Sequence, residues 1–170
     1  AAKNVVTTID ASMVIDEMDF EVTRTRVGDT HVSEELKKGG DFGGEPSGAW
    51  VFPDNSLCPD GIYAAARLAA IASRQKLSKL VDKIPHYPLL RGSMLNDGVV
   101  VSDLARQLLA LEPLSVNNID GIKLNFEDGW LLIRASGTEP KIRVTAEARS
   151  EARVHQLYDS GVRAIKECLK

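Results

Sequence analysis

The sequence predicts two successive domains: a small αβα-layered α/β domain with a mixed sheet, followed by an α+β domain with an antiparallel sheet and flanking helices. Strand-like and helical segments alternate through the first half, which is typical of an α/β layer. In the second half, strand-like runs follow one another before a final helix, which is typical of an α+β arrangement. Prolines within Lys83–Ser93 interrupt both patterns, so we expect domains at residues 1–87 and 88–170.

Apolar and β-branched runs define the elements of the first domain. They predict strands at Asn4–Ile9, Glu21–Val27 and Trp50–Phe52, and helices at Ser12–Met18, Ser33–Gly39 and from Gly61 towards Gln75. Asp60 lies where an N-cap acceptor belongs, directly before the last of these helices. Apolar residues within Ala64–Ala72 recur on one helical face, which we interpret as core packing. The glycine-rich segment Gly39–Trp50 is predicted to be a loop.

The second domain shows a clearer pattern. It predicts a first strand followed by a helix at Ser102–Leu111, then strands at Ile122–Phe126, Trp130–Ala135 and Ile142–Glu147, and a final helix at Glu151–Leu169. The dipeptide Asp128-Gly129 between the first two strands is a strong hairpin signal.

Composition restricts the classes of function. The 170 residues are 44% hydrophobic and 26% charged with a net charge of −3, which is ordinary for a globular protein and argues against nucleic acid as the main partner. No apolar run approaches the about 20 residues of a membrane span, so we expect a cytoplasmic protein with no membrane partner. Two cysteines, Cys58 and Cys168, and three histidines show no metal-ligand spacing, and we predict no metal site in this chain.

The segment Arg134–Val144, RASGTEPKIRV, places two arginines around a short loop between two strands. The guanidinium groups of Arg134 and Arg143 present fixed forks of donors that match phosphate oxygens. The hydroxyls of Ser136 and Thr138 could add donors, and Gly137 would let the backbone turn its N–H groups inward. These residue types predict a pocket for a phosphate dianion. The alternative is a polar surface hairpin whose arginines pair with Glu139 and Glu147.

The segment GGDFGGEPSGAW, at residues 39–50, places Glu45 and Ser47 on a glycine-rich loop. A carboxylate accepts hydrogen bonds from two adjacent hydroxyls, and a serine can serve a third, so this pair is suited to holding a sugar. The alternative is an ordinary turn. Gly28 and Asp29, which follow the second strand, are either another ordinary turn or part of the same cleft.

The segment RASGTEPKIRV resembles the phosphate-binding loop of the α-D-phosphohexomutases, the family of phosphoglucomutase, phosphomannomutase and phosphoglucosamine mutase, whose pattern is close to R-x-S-G-T-E-P-x-x-R-V. The loop containing Glu45 is similar to the family's G-E-x-S-G sugar loop, although Ala49 stands where the family often has His. Thr23–Val32 and Pro59–Ile71 are similar to the family's T-x-V-G-D and D-G-I segments, and the four segments follow the family's order.

The resemblance implies residue roles. The non-transferring phosphate of the substrate would be bound by Arg134, Ser136, Gly137, Thr138 and Arg143. The sugar hydroxyls would be bound by Glu45 and Ser47, with Gly28 and Asp29 as further candidates for the cleft.

The same resemblance implies what the chain lacks. Family members transfer phosphate with a phosphorylated serine in the first domain and Mg²⁺ held by a D-G-D-x-D-R motif in the second, and neither motif occurs here. We therefore expect a C-terminal fragment covering domains three and four, inactive by itself, with domain three starting at its first strand. The whole enzyme would interconvert 1-phospho and 6-phospho forms of a hexose or hexosamine through a bisphosphorylated sugar. Its N-terminal domains would be partners of this fragment and would bind the Mg²⁺.

Two other classes of function stay open at this point. One is a non-enzymatic regulatory module that binds phosphate or a sugar phosphate through the same loop. The other is a purely structural domain in which the hairpin has no ligand. The sequence does not choose among glucose, mannose and glucosamine phosphates.

Overall fold

The computed structural model describes residues 3–168, which divide into two compact units that separate after His86. The first unit contains strands β1 (Asn4–Thr8), β2 (Glu21–Thr25), β3 (Phe42–Gly44) and β4 (Trp50–Val51), helices α1 (Asp29–Leu36), α2 (Gly61–Ala72) and α3 (Leu77–Val81), and a 3₁₀ helix at Met13–Glu17. The second contains strands β5 (Leu89–Leu95), β6 (Ser115–Asn117), β7 (Ile122–Phe126), β8 (Gly129–Ala135) and β9 (Lys141–Ala148), helices α4 (Ala105–Leu109) and α5 (Glu151–Cys168), and a 3₁₀ helix at Val101–Leu104.

The sheet of the first unit is mixed, as predicted. Its strand order is β2-β1-β3-β4, with β1 parallel to both neighbours and β3 antiparallel to β4. Helix α1 packs on β1 and β3, and its buried Val32 and Leu36 form a small core with Val6 and Val51. The loop that follows β3 and the start of α1 therefore both extend from this sheet.

Several elements of the first unit differ from the prediction. The helix predicted at Ser12–Met18 is a 3₁₀ helix at Met13–Glu17, and α3 was not predicted. Helix α1 begins at Asp29 rather than Ser33, because the four earlier residues allow Val32 and Leu36 to be buried one helical turn apart. Residues 42–44, predicted to be loop, form β3 because their backbone pairs with β1 from Val5 to Thr7. Glycines weaken the strand signal in a sequence without preventing the pairing.

Helix α2 confirms one prediction and corrects another. Asp60 caps it, since the carboxylate accepts a hydrogen bond from the Tyr63 amide at 2.8 Å. The interpretation of Ala64–Ala72 as core packing is wrong for the described residues, because only Ala64 is buried, whereas Leu68 and Ile71 are exposed. Apolar periodicity indicates that a helix has an apolar face, but it does not identify what covers that face.

The sheet of the second unit is antiparallel throughout, with the order β5-β9-β8-β7-β6. Helix α5 covers one face, on which the buried side chains of Leu131, Ile133 and Val144 pack with Leu157 and Ile165. The predicted strands β7, β8 and β9 are confirmed to within one residue at each end, as is the hairpin that pairs Phe126 with Gly129.

Other elements of this unit differ from the prediction. The strand predicted at the start of the unit is β5, which lies within the segment interpreted as a boundary, and its seven residues pair with β9 although none of them is fully buried. The helix predicted at Ser102–Leu111 is a 3₁₀ turn followed by the short α4, and β6 was not expected. Helix α5 matches its prediction from Glu151 to Cys168, whereas the predicted end at Leu169 lies outside the described residues.

Candidate functional site

Arg134 and Arg143 face each other across neighbouring strands. The register of β8 and β9 pairs them directly, and the preceding pair is Ile133 with Val144. Because side chains alternate between the faces of a sheet, the two arginines lie on the face opposite helix α5. On the other side of β9, Ser93 of β5 is paired with Arg143, so a serine lies on the same face of the sheet as the two arginines.

The loop Ser136–Pro140 connects the strands that carry these arginines. Backbone hydrogen bonds close it, from the Ser136 amide to the Lys141 carbonyl at 2.8 Å and from the Asn96 amide to the Pro140 carbonyl at 2.9 Å. Gly137 and Thr138 are exposed at its tip, and Ser136 is half-buried at its base. The structure thus places the five predicted phosphate ligands on one loop and the two strand ends beside it.

Two carboxylates neutralise part of the positive charge. The Glu139 carboxylate accepts hydrogen bonds from Lys141 Nζ at 2.7 Å and from Arg143 Nη2 at 2.9 Å. The Lys141 hydrogen bond and charge, followed by Arg143, lower the pKa of Glu139 below its ordinary value of 4.5. Arg134 Nη1 lies 3.7 Å from an oxygen of Asp120. Each arginine therefore has an acidic neighbour in this structure.

These pairs agree in part with the alternative of a surface hairpin. Arg143 pairs with Glu139 as that alternative predicts, but Glu147 is 2% exposed and accepts a hydrogen bond from Trp130 Nε1 at 2.7 Å. Arg143 Nε is buried without a hydrogen-bond partner within residues 3–168. A buried guanidinium donor without an acceptor is costly, so this N–H is a hydrogen-bond donor that the described residues leave unused.

Sequence reasoning missed three neighbours of the arginines: Ser93, Asp120 and Lys141. Ser93 was missed because the strand predicted at the start of the second unit had neither assigned bounds nor a pairing partner. Asp120 precedes Gly121 just before β7, and such an Asp-Gly pair at a turn is a signal that could have been used.

The Glu45 loop in the first unit is joined to the start of α1. The Gly28 amide donates to Glu45 Oε1 at 2.8 Å, and Ser47 Oγ donates to Glu45 Oε2 at 3.4 Å. Gly28 has a φ of +135°, which a residue with a side chain rarely adopts. Each carboxylate oxygen has two lone pairs, so each can still accept a hydrogen bond from a ligand hydroxyl.

Asp29 is placed differently from Gly28. It is the first residue of α1, and its carboxylate accepts a hydrogen bond from the Thr30 amide at 2.8 Å. The interpretation as an ordinary turn after a strand is therefore wrong for Asp29, whereas Gly28 lies in the bend after β2 and is the N-cap residue of α1. Gly28 therefore contacts Glu45, whereas the Asp29 carboxylate is hydrogen-bonded within the first turn of its own helix.

Family models match both halves of the chain. Residues 1–87 match phosphoglucomutase/phosphomannomutase α/β/α domain III, and residues 98–163 match the phosphoglucomutase/phosphomannomutase C-terminal domain. The chain belongs to the phosphoglucomutase/phosphomannomutase family. This membership agrees with the resemblance of the loop sequences to the α-D-phosphohexomutases.

Single proteins are also similar to this chain in sequence and in structure. The chain is 46% identical to a protein of Methanocella arvoryzae named "Probable phosphoglucosamine mutase", over 98% of this chain and 40% of the relative. It superposes with a TM-score of 0.81 on a phosphoglucomutase/phosphomannomutase family protein from Burkholderia thailandensis, at 26% identity over 98% of this chain and 38% of the other. The chain thus spans about 40% of the length of the relatives it matches.

A further solved structure of similar fold contains ligands. N-acetylphosphoglucosamine mutase from Aspergillus fumigatus, in complex with GlcNAc-6P and magnesium, matches with a TM-score of 0.70 at 15% identity over 98% of this chain and 39% of the other, which shows a shared fold. Within residues 3–168, no group of three or more His, Cys, Asp or Glu side chains is arranged to hold a metal ion. In the same residues, no helix combines the length and apolar character needed to cross a membrane.

Proposed function

We propose that this chain is the sugar-phosphate recognition part of a phosphohexomutase that interconverts the 1-phospho and 6-phospho forms of a hexosamine. The second unit would bind the phosphate that is not transferred, and the first would bind sugar hydroxyls. The names of the relatives support a glucosamine phosphate as the substrate.

The observation that carries this proposal is the direct pairing of Arg134 with Arg143. Like charges directly opposite each other on a sheet are destabilising, so their pairing is expected where an anion binds between them. Two guanidinium groups can donate several hydrogen bonds to one phosphate dianion. In this proposal Ser136, Gly137 and Thr138 add hydroxyl and backbone donors from the loop that joins the two strands.

The sugar would be held at the other unit. The carboxylate of Glu45 is oriented by the Gly28 amide and by Ser47, so its free lone pairs have a fixed direction. Vicinal hydroxyls could donate to these lone pairs, and Ser47 could bond a further hydroxyl. Asp29 is a further candidate for sugar binding, because it follows Gly28 in the chain.

The chemistry itself would take place elsewhere in the longer protein. A phosphoserine and Mg²⁺ of the family's N-terminal domains would transfer the phosphoryl group, and Mg²⁺ would neutralise the charge that develops during transfer. The residues of this chain bind and orient the bisphosphorylated sugar, and such positioning can contribute several kcal/mol to the rate. We therefore expect the 170-residue chain alone to have no mutase activity. The enzyme would act in the cytoplasm, where its exposed thiols Cys58 and Cys168 stay reduced.

An amide NMR titration of this chain tests the proposal with three ligands: glucosamine 6-phosphate, glucosamine and inorganic phosphate. We expect glucosamine 6-phosphate to shift amides at both Gly28–Gly48 and Arg134–Arg143, and phosphate to shift only the second set. Shifts confined to the second set, equal for both phosphorylated ligands, would favour a general anion-binding module. No shift with any ligand at millimolar concentration would contradict binding by this chain.

A further inference from the structure

The two arginines have acidic neighbours that differ in how they are held. Glu139 lies on the exposed loop between β8 and β9, where its side chain is 42% exposed. Asp120 and Arg134 are largely enclosed, with side chains 15% and 16% exposed, so their interaction is less screened by solvent. One carboxylate is thus free to move away from its arginine, whereas the other is confined.

The backbone confines Asp120. The next residue, Gly121, has a φ of +81° and directly precedes β7, whose first pair with β8 is Ile122 with Ile133. A Cβ atom at Gly121 would collide with the carbonyl oxygen of Ile133 and would lie 2.6 Å from Arg134 Cβ. The turn at Asp120-Gly121 is therefore pressed against β8 at the residue that precedes Arg134 and at Arg134 itself.

We propose that Asp120 is a positioning residue of the phosphate site, which holds the guanidinium of Arg134 ready for the anion and stays beside it when phosphate binds. This inference rests on the proposed phosphate site. Arg134 is a long side chain that would otherwise be pushed away from the positive charge of Arg143 across the strand pair. A carboxylate 3.7 Å from Arg134 Nη1 opposes that repulsion and reduces the number of rotamers the side chain visits before binding.

Removal of the Asp120 carboxylate should change phosphate affinity in opposite directions for a positioning role and for simple charge neutralisation. Removal of a carboxylate beside a cation raises the local positive potential, so a carboxylate that only competes with phosphate would give tighter binding when it is lost. A positioning carboxylate gives the opposite result, because the loss of order in Arg134 outweighs the gain in potential. For metal ligands, removal of a supporting partner costs about 10- to 100-fold in affinity, and we expect the lower end of this range for an arginine that binds an anion.

The test compares Asp120→Asn with the matched variant Glu139→Gln, each of which removes one negative charge next to one arginine. Asparagine keeps the size of the side chain and is favoured before glycine at turns, so the turn should be retained. The amide NMR spectrum of β7 and β8 checks that it is. We expect Asp120→Asn to weaken phosphate binding about tenfold and Glu139→Gln to strengthen it. Phosphate binding by Asp120→Asn that is equal to or tighter than that of the original protein would overturn the inference.

A second readout needs no ligand. In the original protein we expect the guanidinium NMR signals of Arg134 to be those of an ordered group, with slowed rotation of the Nη atoms, and in Asp120→Asn we expect them to average. Unchanged Arg134 signals in Asp120→Asn would also overturn the inference. If the original protein binds no phosphate, the proposed function fails for this chain, and the guanidinium comparison still decides the role of Asp120.

Discussion

Arg134 and Arg143 occupy directly paired positions on β8 and β9, so two positive side chains lie next to each other on one face of the sheet. The acidic neighbours Asp120 and Glu139 offset part of this charge but leave Arg143 Nε without an acceptor in the described residues. The ligand-free site therefore has unused donors, and an anion should stabilise the folded protein.

Phosphate should raise the melting temperature of this chain. At a phosphate concentration ten times the Kd, binding to the folded state adds about 1.4 kcal/mol, which corresponds to an increase of about 3 to 6 °C for a protein of this length. Calorimetry in phosphate and in chloride at equal ionic strength measures this increase. Arg134→Gln should abolish it, whereas Arg163→Gln on the exposed side of α5 should not. An equal increase in the Arg134 variant would exclude that arginine from the site.

The Glu139 carboxylate should titrate at lower pH than an ordinary glutamate. Its folded pKa is lowered, first by Lys141, so the stability that its ion pairs contribute is present above the ordinary value of 4.5 and is lost as the pH falls through the folded pKa. A carboxyl ¹³C NMR titration measures the midpoint. In Lys141→Gln the midpoint should move back up towards 4.5, and Lys38→Gln serves as the control because Lys38 pairs with Glu35. A midpoint unaffected by Lys141→Gln would contradict the assigned cause.

Glu45 should affect the sugar and not the phosphate. Glu45→Gln removes the charge that accepts sugar hydroxyls, and a hydrogen bond to a charged group is worth about 1.5 to 3 kcal/mol, so the affinity for glucosamine 6-phosphate should fall at least about tenfold. The affinity for inorganic phosphate should stay unchanged. Isothermal titration calorimetry with both ligands measures the two values, and Glu34→Gln on the exposed side of α1 is the control. Equal losses for both ligands would mean that Glu45 does not act on the sugar.

Gly121 should be intolerant of a side chain. Gly121→Ala places a methyl group against the backbone of Ile133 and Arg134 and requires a φ of +81°, so we expect a loss of about 1 to 3 kcal/mol of unfolding free energy. The control is Gly137→Ala, where a Cβ would meet no atom within 4 Å and the expected change is under about 0.5 kcal/mol. Urea unfolding of the two variants gives both values, and similar losses would show that the turn at Gly121 can move away from β8.

Strands and helices were predicted best from the sequence where the local pattern alone is enough to define them. Strands β7 to β9 combine apolar alternation with a turn signal at Asp128-Gly129, and α5 has a full-length amphipathic pattern, so their positions were predicted closely. A strand was predicted at the start of the second unit, but its bounds were not, because Arg91 and Gly92 give a weak strand signal and the stability of β5 depends on pairing with β9, more than 40 residues later.

In the candidate site, residues close together in the sequence could be predicted, whereas residues brought together by the fold could not. The motif around Arg134 and Arg143 lies on one loop and its two strands, so its residues could be recognised together in the sequence. Asp120 and Ser93 reach the arginines only through the order of the strands, which the local pattern does not contain. The contact between Gly28 and Glu45 likewise joins residues 17 positions apart through the sheet of the first unit.

The central claim is that Arg134 and Arg143 bind one phosphate together, and a double-mutant cycle of phosphate affinity tests it most directly. Calorimetry or NMR titration would give the Kd of phosphate for the original protein, Arg134→Gln, Arg143→Gln and the double variant. We predict that each single variant loses most of the affinity and that the double variant loses little more, because both arginines contact the same anion. Losses that add independently, or a single variant that binds as tightly as the original protein, would contradict a shared site.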